Sequence, residues 1–210
     1  MDEEITLRTP SIAWGVAARP LPGQTVSGDR HLVQPFPNGL LTAALDGLGH
    51  GADAATAADI GIAVLEAHAS EPIVPLVQRC HEALRTTRGA AMSLASFNTR
   101  DDTLSWISVG NVEGILLRTS DGTTALPTHE YVLPRGGVVG YRLPPLRTST
   151  LGVRRGDLLI FVTDGIGEGF AETLPLTAPP QRIADYILET YAKSTDDALA
   201  LVVRYLGGAS

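Results

Sequence analysis

The sequence predicts an α+β protein in which mostly antiparallel sheet carries helices packed outside it. Three observations lead there. Strand-like runs follow one another with only short turns between them, the mark of hairpins and meanders. Helical periodicity appears in only three places. The order of elements is a few strands, two helices, many consecutive strands, one helix and one strand, which is not the regular alternation of a parallel sheet.

Each element has its own warrant. Residues 12–18, Ile-Ala-Trp-Gly-Val-Ala-Ala, read as a first strand, and a polar Gly-containing loop covers 23–30. A short strand at 31–36 meets the hairpin signal Pro37-Asn38-Gly39, after which Leu40 to Leu45 forms a mostly apolar strand ending at Asp46. Ala54, Ala58, Ile62, Leu65 and Ala69 recur at helical spacing and predict a helix over 53–69. Leu76, Val77, Cys80, Ala83 and Leu84 predict a second one to about Thr86, stopped by Gly89. Strands are expected at 91–97, 103–109 and 114–119. Residues 127–145, with Pro127, Pro134, Pro144, Pro145 and Gly136-Gly137, read as an irregular excursion. Two strands at 146–151 and 157–163, a helix at about 180–192 and a strand at 197–205 complete the chain.

The chain has 210 residues, a length that points to one domain spanning 1–210. Hydrophobic residues make up 44%, enough for a core without covalent staples. The net charge of −7 disfavours nucleic acid or anionic lipid as a partner. The one cysteine, Cys80, precludes an internal disulfide and fits a reducing compartment. No signal-peptide pattern and no run of roughly 20 apolar residues occurs, so the expectation is a cytoplasmic protein without a membrane partner. The absence of heptads suggests a monomer.

The chemistry sits at acidic strand ends. Ala43-Ala44-Leu45-Asp46-Gly47-Leu48-Gly49-His50-Gly51 carries an apolar run into an aspartate and then a glycine-rich turn. Ile160-Phe161-Val162-Thr163-Asp164-Gly165 repeats the first half of that design 118 residues later, and Asp196-Asp197 opens the last apolar run. Asp-Gly is an ordinary turn dipeptide, and Asp121-Gly122 reads as no more than that. Asp46 and Asp164 differ because each ends a strand that looks buried, where an uncompensated charge is expensive. Hard cations such as Mg²⁺ and Mn²⁺ take oxygen ligands and keep several waters, so a few converging carboxylates suffice. A glycine after the aspartate leaves its carbonyl open to close approach.

Four stretches in this order resemble a known family: Ser27-Gly28-Asp29, Ala44–Gly51, Phe161–Gly165 and Asp196–Leu199 look like the ordered acidic motifs of the metal-dependent PPM-type protein Ser/Thr phosphatases. Arg79-Cys80, Arg88-Gly89-Ala90 and Ser108-Val109-Gly110-Asn111 resemble its small bacterial branch, which acts in stressosome feedback. The resemblance covers about 12–205. It implies a four-layer αββα sandwich around two Mn²⁺ or Mg²⁺ ions. Asp46 would bridge both ions, the Gly47 carbonyl would bind one, and Asp164 and Asp196 would complete the other shell. Asp29 would sit at the rim and act through water. The choice of Asp196 over Asp197 follows the family pattern. A hydroxide between the ions would then attack phosphorus in line as the serine or threonine oxygen leaves. Catalysis would thus rest on Asp46, Asp164 and Asp196, and the implied substrates are phosphorylated stressosome scaffold or STAS-domain proteins. His50 is open to a proton-donor role or a supporting one. The phosphate-binding arginine of larger relatives has no clear match; Arg8, Arg19 and Arg88 are the candidates. Ala198 and Leu199 follow the acidic pair where many relatives have threonine.

Other readings compete. Gly47-Leu48-Gly49-His50-Gly51-Ala52 satisfies the dinucleotide fingerprint, but Asp46 would face the pyrophosphate and a second helix follows where a parallel strand is required. Cys80 and Arg85 only superficially resemble a cysteine-phosphatase loop, and no G-x-S-x-G elbow exists. A catalytically dead binding module of the same fold is opposed by the intact Asp46, Asp164 and Asp196.

Overall fold

The computed structural model describes residues 11–118, 129–131 and 135–207. Arg8, Asp121-Gly122, Pro127 and Pro134 lie outside them. The chain enters through β1 (Ile12–Arg19), then β2 (Asp29–Phe36) and β3 (Gly39–Gly47) form a hairpin. Two helices follow, α1 (Ala52–Ala67) and α2 (Ile73–Leu84). Next come β4 (Ala90–Asn98), β5 (Thr103–Val109), β6 (Glu113–Leu117), β7 (His129–Tyr131), β8 (Ser149–Gly152) and β9 (Leu158–Val162). A short 3₁₀ turn (Phe170–Glu172), α3 (Pro180–Tyr191) and β10 (Ala198–Tyr205) close the fold.

The strands form two five-stranded sheets, ordered β1-β10-β9-β6-β7 and β2-β3-β4-β5-β8, with every paired strand antiparallel. Three apolar layers hold them together. Leu45, Leu65, Leu76 and Met92 join α1 and α2 to the second sheet. Ala44, Phe97, Trp106, Phe161 and Leu201 fill the space between the sheets. Ile160, Val202, Ile183 and Ile187 seat α3 on the first sheet. The expected αββα sandwich is therefore the architecture found. Strands β3, β9 and β10 lie inside it, covered on both faces, which is why they read as continuous apolar runs.

Element ends differ from expectation for local reasons. Strand β2 begins at Asp29 because Asp29 pairs with Asp46 across the hairpin. Strand β10 begins only after Asp197, whose side chain is committed to a loop. The strand expected at 146–151 shifts to Ser149–Gly152, beyond the two prolines. The short β7 and the 3₁₀ turn were not expected; each spans three residues, too few for a periodic signal.

The antiparallel register explains why acidic groups gather. In one sheet the start of β2 lies beside the end of β3, with Asp29 opposite Asp46. In the other the start of β10 lies beside the end of β9, with Ala200 opposite Val162. Both ends fall at the same edge of the sandwich.

Candidate metal centre

Two bonds connect the sheets at this edge. Thr163 Oγ1 donates to Asp29 Oδ2 at 2.7 Å, and the Gly28 amide donates to Asp197 Oδ2 at 2.6 Å. Thr163 Oγ1 in turn accepts from the Leu199 amide at 2.9 Å, so its orientation is fixed by β10. Asn111, in the turn between β5 and β6, donates its side-chain amide to Asp164 Oδ2 at 2.6 Å. Asp29, Asp46, Asp164, Asp196 and Asp197 therefore come from four separate stretches and share one site.

They are not equivalent. Asp197 is buried, and its two oxygens accept the Leu21 and Gly28 amides at 2.7 and 2.6 Å, tying down the β1–β2 loop. Its neighbour Asp196 is half-buried and accepts the Asp197 amide at 2.9 Å, with Asp164 and Asp197 near its carboxylate. Asp164 is exposed, Asp46 half-buried, and Asp29 buried at 5% exposure.

Two glycines make the close packing possible. A Cβ on Gly47 would lie 2.0 Å from the Ala54 carbonyl oxygen, and one on Gly165 would lie 1.8 Å from the Asp197 oxygen, so no side chain fits at either position. The first α1 turn and the Asp197 backbone are thereby drawn against the aspartate-bearing strand ends.

Burial pushes the Asp29 carboxyl up to about 8, with the charges of Asp46, Asp197 and Asp164 adding and the Thr163 hydrogen bond opposing. Burial likewise pushes Asp46 up to about 7, helped by Asp164 and Asp196 and opposed by the Asn111 amide. Asp196 is raised by burial and by Asp164 and Asp197, against its bond to the Asp197 amide and the nearby His50. Among the described residues, no Lys or Arg forms an ion pair with any of these acids. Lys193 reaches the site but donates to the Asp164 carbonyl at 2.7 Å, not to a carboxylate.

This donor set fits a divalent cation. It is all hard oxygen, among the described residues no Lys or Arg pairs with its carboxylates, and burial and neighbouring acids raise Asp29, Asp46 and Asp196 toward protonation. Among the described residues no three His, Cys, Asp or Glu side chains form a ready-made cage. Mg²⁺ and Mn²⁺ keep several waters and need only one or two carboxylates each.

The sequence-derived candidates sort cleanly. Asp29, Asp46, Gly47, Asp164 and Asp196 come together at one edge. Arg19 instead braces the α3–β10 loop, donating to the Ala192 and Lys193 carbonyls at 3.0 Å each. Arg88 lies over the glycine turn, pairing with Asp53 at 2.7 Å. Sequence reasoning missed the work of Thr163, Asn111, Asp197 and Lys193. Thr163 and Asn111 stand inside motifs already singled out, and a polar residue at the end of a buried strand was the available signal. Cys80 is buried in α2, its thiol pushed up to about 12 by burial, and is no nucleophile. The all-antiparallel pairing and the α1–α2 succession remove the dinucleotide reading.

Two antiparallel sheets between helices, with a cluster of aspartates at their shared edge, define a PP2C-type (PPM) metal-dependent protein Ser/Thr phosphatase. The chain belongs to the SpoIIE family: residues 37–206 match the model of Stage II sporulation protein E. It is 28% identical over 144 residues to the phosphoserine phosphatase RsbX of Bacillus subtilis (strain 168), covering 69% of each chain. A crystal structure of RsbX in complex with magnesium superposes with a TM-score of 0.83 at 25% identity, covering 94% of this chain and 96% of that one. A chain described with the bacterial stressosome, as a modular system adapted to control secondary messenger signaling, matches with a TM-score of 0.83 at 30% identity, covering 93% and 100%. Among the described residues no helix is long and apolar enough to cross a membrane.

Proposed function

We propose that this phosphatase removes phosphate from phosphoserine or phosphothreonine on a bacterial signalling partner, a stressosome scaffold or STAS-domain protein. In this reading it acts in the cytoplasm, as a monomer built from a single domain spanning 1–210. The observation that carries it is the edge where Asp29, Asp46, Asp164 and Asp196 meet, with no Lys or Arg ion pair to them among the described residues. The likeness to RsbX and to the stressosome chain supports the choice of substrate.

Two divalent cations would be held there by Asp46, the Gly47 carbonyl, Asp164 and Asp196, with Asp29 acting through water. When bound, such ions supply an activated water and offset charge on the phosphoryl group. The chain's own residues do the positioning. Thr163 fixes Asp29, Asn111 orients Asp164, and Asp197 holds the β1–β2 loop so that Asp196 stays available. No protein nucleophile is needed, in keeping with the inert Cys80.

Hydrolysis of a phosphoserine protein and of p-nitrophenyl phosphate, with Mn²⁺ and with EDTA, tests the proposal. Turnover should require the metal, and Asp46→Asn should lower kcat by more than about 100-fold. Activity that survives both EDTA and Asp46→Asn would sink it.

A further inference from the structure

The segment 135–142 is stitched to the metal centre from two sides. The Gly110 amide donates to the Arg135 carbonyl at 2.9 Å, immediately before Asn111, which holds Asp164. Ala90 and Val139 exchange both backbone bonds at 2.9 Å, and the preceding Gly89 carbonyl accepts the Leu48 amide at 3.0 Å, one residue beyond Gly47. Val138 and Arg142 then close a tight turn with bonds of 2.8 and 2.9 Å. Gly140, at φ +101, rests on the Leu84 backbone and donates its amide to His81 Nδ1 at 3.0 Å. The turn is thus a fixed shoulder beside the centre.

Its tip presents Tyr141 at 84% exposure, the highest among the exposed large hydrophobics described. Scattered exposed aromatics are ordinary, but this one is held at the tip of a turn tied to the centre by backbone bonds, with Arg142 as its neighbour in the chain. Arg85 and Arg88 are matched by Glu82 and Asp53. Among the described residues Arg135 and Arg142 make no ion pair. On a chain of net charge −7, this shoulder keeps positive charge uncommitted. Tyrosine and arginine are also the residue types that most often carry interface energy.

We propose that the 138–142 turn is the docking shoulder for the phosphoprotein, with Tyr141 as anchor and Arg135 and Arg142 selecting acidic sequence around the phosphoresidue. The inference rests on the phosphatase reading above. A metal centre binds any phosphate monoester, so preference among phosphoproteins has to come from contacts outside it. The turn adjoins the centre through Ala90, opposite Gly47, and Gly110, next to Asn111, and it supplies none of the candidate metal ligands.

The test uses the full chain, a phosphoserine peptide with acidic flanks, its lysine-flanked twin, and p-nitrophenyl phosphate. The wild type should favour the acidic peptide about tenfold in kcat/KM. Arg142→Glu should erase or invert that preference, Tyr141→Ala should weaken both peptides, and neither should change p-nitrophenyl phosphate turnover. Both positions are exposed, so folding is not at stake. Equal handling of the peptides by wild type and Arg142→Glu overturns the proposal, as does an equal loss on all three substrates. Fluorescence anisotropy of the two peptides in EDTA reads docking without turnover: acidic-peptide binding that Arg142→Glu leaves unchanged also overturns it. A wild type that fails to turn over p-nitrophenyl phosphate with Mn²⁺ would count against the phosphatase reading instead.

Discussion

Asp157 and Asp29 are both buried acids, at 1% and 5% exposure, and they are treated in opposite ways. Asp157, just before β9, receives the Arg118 guanidinium at 2.8 Å and the Arg154 amide at 2.9 Å. Its counter-charge is built into the protein. Asp29 receives one threonine hydroxyl and faces other carboxylates. Folding alone would favour an arginine or an apolar residue there. In the proposed reading the partner of such an acid is a cation from solution, and this contrast separates the structural end of the sandwich from the working one.

Breaking the structural side should have the largest effect on stability. Asp157→Ala leaves Arg118 partly buried without one of its acids, and should cost about 3–5 kcal/mol in urea unfolding. Metal dependence of the remaining folded protein should be unaltered.

The adjacent pair Asp196-Asp197 sharpens the contrast within two residues. Asp197→Ala strands the Leu21 and Gly28 amides and should cost about 2–3 kcal/mol. Asp196→Ala should change stability by less than about 1 kcal/mol while abolishing most turnover. Chemical unfolding and a Mn²⁺-dependent phosphatase assay on the same two variants check this; the reverse pattern would reassign the pair.

Much of this was legible in the sequence. Asp46-Gly47 and Asp164-Gly165 stood out because apolar runs led into them. The sandwich followed from the element order together with the family resemblance. The division of labour in Asp196-Asp197 was not legible, because two identical side chains differ only in which loop folds over them. The Thr163–Asp29 bond joins residues 134 apart in different sheets, a pairing that no local pattern encodes. Segment 135–142 read only as an irregular excursion, since its order comes from backbone bonds to β4 and β5 and not from periodicity.

A further effect is a pH dependence. Asp29 and Asp46 have folded-state values of about 8 and about 7 against an ordinary 3.8. The metal-free fold therefore binds more protons than the unfolded chain between about pH 4 and pH 8, and its stability falls as pH rises through that window. Asp29→Asn removes part of this burden and should stabilise the metal-free protein by about 1–2 kcal/mol at pH 8, with no gain at pH 4. Denaturation in EDTA at the two pH values measures it.

The central claim, that the clustered acids bind divalent cations, is tested most directly by thermal unfolding at pH 8 with EDTA and with Mn²⁺. Mn²⁺ should raise Tm by about 3–8 °C in the wild type and by much less in Asp46→Asn. A wild-type Tm indifferent to Mn²⁺, or an equal rise in both proteins, would contradict the account.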